Sequence, residues 1–286
     1  MIRRNSSADG KCKLINNKAI KWCMKASFKE LSAYRGAQIL NNTPHSRHIY
    51  IDRGSKVLGV AHIDSVQAHR GTRITTGKIL SSTVDDRIGV YMLLYGLPYL
   101  GIYPDVLLTD NEEIGRSTAQ FFEPTKDYNW MFQFDRTGSD VVCYQYGTEK
   151  LIGALGECGM VVGEGIWSDI SYMEYMGCAG FNVGCGMHRY HEIDAYVDIN
   201  ELTLQSALFR YFWTFYQHER FDWDPLMAYD DSNDWLWVDD TLMPDDMSHE
   251  TCDYCGVWDY SKAMNRYLDS NLCDGCHDWF GSLQGA

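Results

Sequence analysis

Hydrophobic positions recur along the chain in two rhythms. Between Lys18 and Tyr34 they fall at Ile20, Met24, Phe28 and Leu31, the three-and-four spacing of an amphipathic helix. Four short apolar runs then stand between polar residues, at Val57 to Ala61, Val106 to Leu108, Trp130 to Phe134 and Ala179 to Val183. Runs of this length read as buried strands. Asp85-Asp86 opens a helical pattern through Ile88, Met92 and Tyr95, with carboxylates where a helix N-terminus favours them. A last helix, with Asn200 as its expected cap, carries Leu204, Leu208, Tyr211, Phe212 and Phe215 on one face. No internal repeat is present. Strands alternating with helices predict an α/β fold, a mixed and mostly parallel sheet with helices on both faces.

The polar residues that end these runs carry the candidate chemistry. His62-Ile63-Asp64 follows the first run, Asn111-Glu112-Glu113 the second and Asp135 the third, while His188 and His191 lie beyond the fourth. Ligands of open α/β sheets bind at the carboxyl edge of the strands, so residues 62, 85, 112, 113, 135 and 191 are expected to converge there. Taken singly, each element is ordinary: a polar pair, a helix start, a solvated loop. Five of them in order form a mixed nitrogen and oxygen donor set that suits zinc, with cobalt or manganese as alternatives. The set also holds enough carboxylates for one to bridge two metals and another to take a proton from water.

His62-Ile63-Asp64, Asp85-Asp86-Arg87-Ile88-Gly89, Glu112-Glu113-Ile114-Gly115, Asp135 and His191 together resemble the co-catalytic zinc exopeptidases. That superfamily includes bacterial leucyl aminopeptidases, tripeptidase T and the tetrahedral glutamyl-aminopeptidase-like peptidases. The resemblance covers roughly residues 55–215. It implies two catalytic zinc ions bridged by Asp85, with His62 and Asp135 completing one site and Glu113 and His191 the other. It further implies Glu112 as the general base and Asp64 as the residue that holds the His62 imidazole in its metal-binding tautomer. His188 competes with His191 for the last position, and His191 is preferred because Tyr190-His191 and Tyr196-Val197-Asp198 resemble the family's last motif. The 22 residues of 63–84 and the 55 of 136–190 leave no room for the inserted dimerisation or lid domains of several branches, so the compact aminopeptidases are the nearest architecture. Two neighbours carry open alternatives. Arg136 binds a substrate carboxylate or carbonyl, or else forms a salt bridge to Asp140 or Glu113. Asp169 accepts a hydrogen bond from a substrate amine, or else caps a loop.

Charge divides the chain. Of the net −14, residues 221–286 carry −13, from 14 Asp and 1 Glu against Lys262 and Arg266. Residues 1–220 are therefore expected to form the catalytic domain, 221–250 an acidic linker containing Trp223, Trp235 and Trp237, and 251–286 a separate module. That module holds Cys252, Cys255, Cys273 and Cys276, with 17 residues (256–272) between the two C-x-x-C pairs. The spacing predicts one structural zinc held by four thiolates, in a ribbon-like or treble-clef-like module. Two redox C-x-x-C motifs are the rival reading, and they lack the βαβ context such motifs need. Acidity of this size argues against nucleic acid or an anionic membrane as a partner, and leaves a protein partner for the tail. The scattered cysteines suit buried thiols in a reducing compartment, the opening residues lack the apolar run of a secretory signal, and the expected location is the cytoplasm.

The leading expectation is a metal-dependent exopeptidase, an aminopeptidase acting on short peptides or amino-acid amides. An N-acyl-amino-acid deacylase or carboxypeptidase-like amidohydrolase would use the same residues on a different bond. A non-catalytic scaffold acting through the zinc module is the reading from another class.

Overall fold

A computed structural model describes residues 14–41 and 43–224, together with residues 249–251, 258–260, 264–267 and 270–273 in the C-terminal part. Ten strands of residues 14–224 build one mixed sheet. Its centre is parallel, in the order β6 (Asp105–Thr109), β3 (Val57–His62), β7 (Trp130–Thr137) and β9 (Gly180–His188). One flank adds β2 (His48–Ile51) and β1 (Ala37–Leu40), both antiparallel. The other adds β10 (Tyr196–Asp198), β5 (Lys78–Ser81) and β4 (Thr72–Ile74), also antiparallel, and β8 (Val141–Val142) pairs with β9. The expected α/β fold with a mixed sheet is therefore present, and the four apolar runs read from the sequence are its four parallel strands. Being parallel, they present their carboxyl ends along one edge.

Two helices cover the same sheet face. Trp130, Phe132 and Phe134 alternate toward α6 (Ile199–Tyr216), where Phe209 lies 4.5 Å from Phe132 and Phe212 lies 5.2 Å from Trp130, ring centre to ring centre. Aromatic pairs at such spacings add to the stabilisation that burial itself provides. Helix α3 (Val84–Tyr91) sits over β3 and β7 at very close range, because Gly89 has no side chain: a Cβ there would lie 3.0 Å from the Phe134 carbonyl oxygen and 3.3 Å from the Ala61 Cβ. That approach brings the first turn of α3, with Asp85, to the strand ends. On the opposite face Gln133 meets Asp169 in a short helical turn at Asp169–Tyr172.

Several elements differ from the sequence expectation. The stretch from Lys18 to Tyr34 is two helices, α1 (Asn17–Cys23) and α2 (Phe28–Ser32). Ser27 accepts from the Glu30 N–H while the Glu30 carboxylate accepts from the Ser27 N–H, so a capping box begins a second helix where the apolar spacing alone continues the first. Helix α6 is capped by Asp198, whose Oδ1 accepts from the N–H groups of Asn200 and Glu201, and Asn200 falls inside the helix. The helical run after Asp85 widens into a π-type segment at Met92–Gly96 before α4 (Leu97–Tyr99). Helix α5 (Glu149–Glu157) had no sequence expectation.

The body built on this sheet extends past residue 220. Phe221 and Trp223 are buried, the Phe221 carbonyl accepts from Ala179 N–H at 2.7 Å, and Trp223 packs 5.2 Å from Tyr146. Farther on, β11 (His249–Thr251) pairs with β12 (Trp258–Tyr260), and β13 (Met264–Tyr267) with β14 (Ser270–Cys273), each antiparallel. Cys252, Cys255, Cys276, Trp235 and Trp237 lie outside the described residues, as does the side chain of Cys273. Cys23, Cys143, Cys158, Cys178 and Cys185 are free and buried. No helix among the described residues is long and apolar enough to cross a membrane.

Candidate metal centre

Each element delivers its polar residue to the carboxyl edge of the parallel strands. His62 ends β3, Asp85 stands in the first turn of α3, Glu112 and Glu113 follow β6, Asp135 lies within β7, and His191 lies between β9 and β10. The side chains assemble into two donor triads, His62–Asp85–Asp135 and Asp85–Glu113–His191, in each of which all the donor atoms lie within 4.8 Å of one another. Asp85 is common to both. His191 Nε2 is 2.9 Å from Asp85 Oδ2 and 3.0 Å from Glu113 Oε2, and His62 Nε2 is 3.9 Å from Asp135 Oδ2. Glu112 belongs to neither triad, and its Oε2 stands 3.4 Å from His62 Nε2.

The backbone is bent to achieve this. His191 and Asn111, the latter immediately before Glu112, both adopt left-handed conformations, with φ of 63° and 64°. Such values are unfavourable for residues with a Cβ and are retained where surrounding contacts over-determine them. Here those contacts include the Gln67 side chain, which donates to the His191 carbonyl, and the bond from Arg116 N–H to the Asn111 carbonyl.

Buried negative charge dominates the site. Burial first, then the carboxylates of Asp169, Asp135, Glu113 and Asp64, push the Glu112 carboxyl up to about 10. Burial and Asp110 raise Asp64 to about 6, and burial with Asp85 and Asp169 raises Asp135 well above the usual carboxylate range. Asp135 Oδ1 is buried and receives no hydrogen bond. Burial holds His62 in its neutral form, in which the imidazole is an electron-pair donor, while Asp85 and Glu113 raise His191. Carboxyl groups crowded together in a buried site, an Asp135 oxygen without a donor and a neutral imidazole fit divalent cations with mixed nitrogen and oxygen ligands. The residues present suit zinc, cobalt or manganese.

His62 Nδ1 is 3.2 Å from the main-chain carbonyl of Asp64, which only accepts, so Nδ1 carries the proton and Nε2 faces the carboxylates. The Asp64 carboxylate, at 3.3 Å from Nδ1, is instead hydrogen-bonded through Oδ2 to the Glu113 N–H at 3.1 Å, tying the two loops together. Arg136 grips Asp140 with two bonds of 2.7 Å and donates to the Glu164 carbonyl, so the salt-bridge alternative describes it. Asp169 is fully buried and saturated by Thr109, Ser117 and Gln133, which corrects the expectation of contact with a substrate amine. His188 turns away to Glu201 and stacks on Tyr196.

Asn182 had no sequence signal. On β9 its amide brackets Asp135, accepting from the Asp135 N–H and donating to the Asp135 carbonyl, both at 2.9 Å. This happens where the register of β7 against β9 shifts, and the side chain replaces the ladder bonds lost at the irregularity. Asn182→Ala leaves both backbone groups unpaired; chemical denaturation is expected to show a loss of about 1–3 kcal/mol. An unchanged midpoint would show that water substitutes for the amide.

No protein-family model matches the chain, and a search of curated proteins gives no match. Among solved structures, the fold is that of a class of aminopeptidases and tripeptidases. Aminopeptidase PepT from Bacillus cereus matches with a TM-score of 0.50 at 11% identity, over 68% of this chain and 95% of that one. A tripeptidase from Staphylococcus aureus gives 0.51 at 10% identity over 68% and 96%. The TET aminopeptidase from a marine sediment Thaumarchaeota archaeon gives 0.51 at 12% identity over 71% and 96%. At these identities the likeness is one of fold.

Proposed function

We propose that the protein is a di-metal exopeptidase, an aminopeptidase that hydrolyses the first peptide bond of short peptides. The observation that carries the reading is the pair of triads sharing Asp85, with Glu112 beside them and committed to neither. His62 and Asp135 would hold one cation, Glu113 and His191 the other, and Asp85 both. Bound there, divalent cations supply Lewis acidity and a water of lowered pKa. Glu112 accepts the proton of the attacking water and returns it to the leaving amine. A groove of about 630 Å³ beside His191, lined by Thr137, Met187 and Tyr190 among others, gives a peptide room to lie against the site.

The acidic character of the site favours a free amine over a carboxylate at the substrate end held there. Arginines along this edge are engaged, Arg136 by Asp140, Arg189 by Glu192 and Asp194, and Arg87, two residues after Asp85, by the carbonyls of Cys23 and Ala26. This supports an aminopeptidase over a carboxypeptidase-like enzyme. The four tail cysteines we assign to a structural zinc on their spacing, and β14 ends at the third of them.

The test compares short peptides with a free amine against the same peptides N-acylated, using protein loaded with zinc, cobalt or manganese. Release of the first residue from the free-amine series is expected. Cleavage of the acylated series alone redirects the assignment to a deacylase, and cleavage of neither supports the scaffold reading. Elemental analysis should find about three zincs per chain, two removed readily by chelators and one held by thiolates that resists them.

A further inference from the structure

Asp169 is a carboxylate without any solvent exposure, 60 residues from one of its partners and 52 from another. Burying such a group is unfavourable unless its oxygens are fully hydrogen-bonded, and here they are. Oδ1 accepts from the hydroxyls of Thr109, at 3.0 Å, and of Ser117; Oδ2 accepts from the Gln133 amide at 2.9 Å. Thr109 is the last residue of β6, and Ser117 directly precedes the helical turn at Thr118–Phe121. Between them runs the loop that carries Glu112 and Glu113. One oxygen of Asp169 therefore pins both ends of that loop.

The loop is internally closed as well. Thr118 N–H bonds the Asp110 carbonyl, Asp110 N–H bonds the Thr118 hydroxyl, and Gly115 N–H bonds the Glu112 carbonyl at 2.7 Å. It behaves as a small rigid piece whose placement is decided at its base. The other oxygen of Asp169 reaches Gln133, two residues before Asp135 on β7, and Gln133 Oε1 in turn accepts from Ser168 Oγ and Ile170 N–H. The carboxylate thus connects the strand that carries Asp135 with the loop that carries Glu112.

We infer that Asp169 is a positioning residue, fixing the Glu112 loop against the β7 strand so that Glu112 stands beside the donor triads without joining them. The inference concerns the chain alone; its catalytic consequence rests on the hydrolytic reading above. Asp169→Asn keeps the shape and one acceptor, but sets an amide N–H against the Gln133 amide. Adding Gln133→Glu places an acceptor where Nε2 stood, opposite the new amide, while the other oxygen still receives Ser168 Oγ and Ile170 N–H.

Two measurements on the full chain test it. In hydrogen exchange, Asp169→Asn is expected to speed amide exchange within residues 110–118 by about tenfold or more, with β1 and β2 unaffected, and the double variant to slow it again. In steady-state kinetics of metal-loaded protein, kcat should fall about 10- to 100-fold, with KM and metal content retained, and recover in the double variant. Unchanged exchange in 110–118, or a kcat loss that follows metal loss, overturns the inference. Should Asp169→Asn not fold, Ser117→Ala removes a single arm; it must raise exchange in the same segment, and an unaltered pattern overturns the proposal equally. If the wild-type protein cleaves no peptide, the proposed function fails while the exchange result still decides the role of Asp169.

Discussion

Glu112→Gln should lower kcat for peptide hydrolysis by about two to four orders of magnitude, the range lost when a general base is removed. Metal content should stay near that of the wild type, because Glu112 lies outside both triads, and the amide replaces the carboxylate with almost no change in shape. Folding should not suffer either. The side chain is crowded by Asp169, Asp135, Glu113 and Asp64, which push its carboxyl up to about 10, so a neutral group relieves repulsion and creates none. The same crowding means that Glu112 ionises near neutral pH only when cations offset the neighbouring carboxylates. The variant and the wild type should therefore be compared at matched metal loading, by rate of amino-acid release, elemental analysis and thermal midpoint. A rate that Glu112→Gln leaves unaltered removes the proposed base.

His62, Glu112-Glu113 and Asp135 were readable in the sequence because each follows a buried apolar run, and parallel strands carry such ends to one edge; Asp85, in the first turn of α3, and His191, beyond β9, were gathered by the family resemblance. His62, Asp85, Glu113, Asp135 and His191 needed no knowledge of side-chain contacts to be gathered. The residues that hold them in place were hidden for the opposite reason. Asn182 meets Asp135 across 47 positions and Gln133 meets Asp169 across 36, and neither pair leaves any periodicity to detect. Asp169 was noticed by type but misread, since nothing in Trp167-Ser168-Asp169 says that its carboxylate points inward to Thr109 and Ser117. The first helix was overextended because hydrophobic spacing continues across Ser27, where local hydrogen bonding starts a new one. The antiparallel flanks escaped because β4 and β10 have only three residues each, too short for alternation to show. Position along the chain gathers the candidate donors; the residues that support them appear only when the strands are laid side by side.

Metal-free protein should lose stability as pH rises above about 6.5, and cations should cancel that loss. In the described site Asp64, Asp169, Glu112, Glu113 and Asp135 are all raised, with burial as the first cause, Asp64 to about 6, Asp169 to about 7 and Glu112 to about 10. A carboxyl whose folded value lies above its unfolded value binds its proton more tightly when folded, so its contribution is lost as pH climbs through the interval between the two. His191, raised by Asp85, acts in the same sense. His62 opposes it, being held neutral in the fold, but an unfolded histidine is itself largely neutral above about pH 6.5. From there to about pH 8 the carboxylates decide the slope, about 1.4 kcal/mol per pH unit for each proton the fold retains; above it the thiols of Cys23, Cys143, Cys178 and Cys185, pushed up to about 12 by burial, add a loss of their own. Manganese is the cation of choice for the rescue, because oxygen and imidazole donors take it while thiolates do so poorly. At about 100 times its dissociation constant a bound ion adds about 2.7 kcal/mol. Asp85→Ala, which removes the donor common to both triads, should abolish that gain while leaving the protein folded in mild acid. A metal-free midpoint flat between pH 6.5 and 8, or a manganese gain that survives Asp85→Ala, would mean that these oxygens do not share a cation.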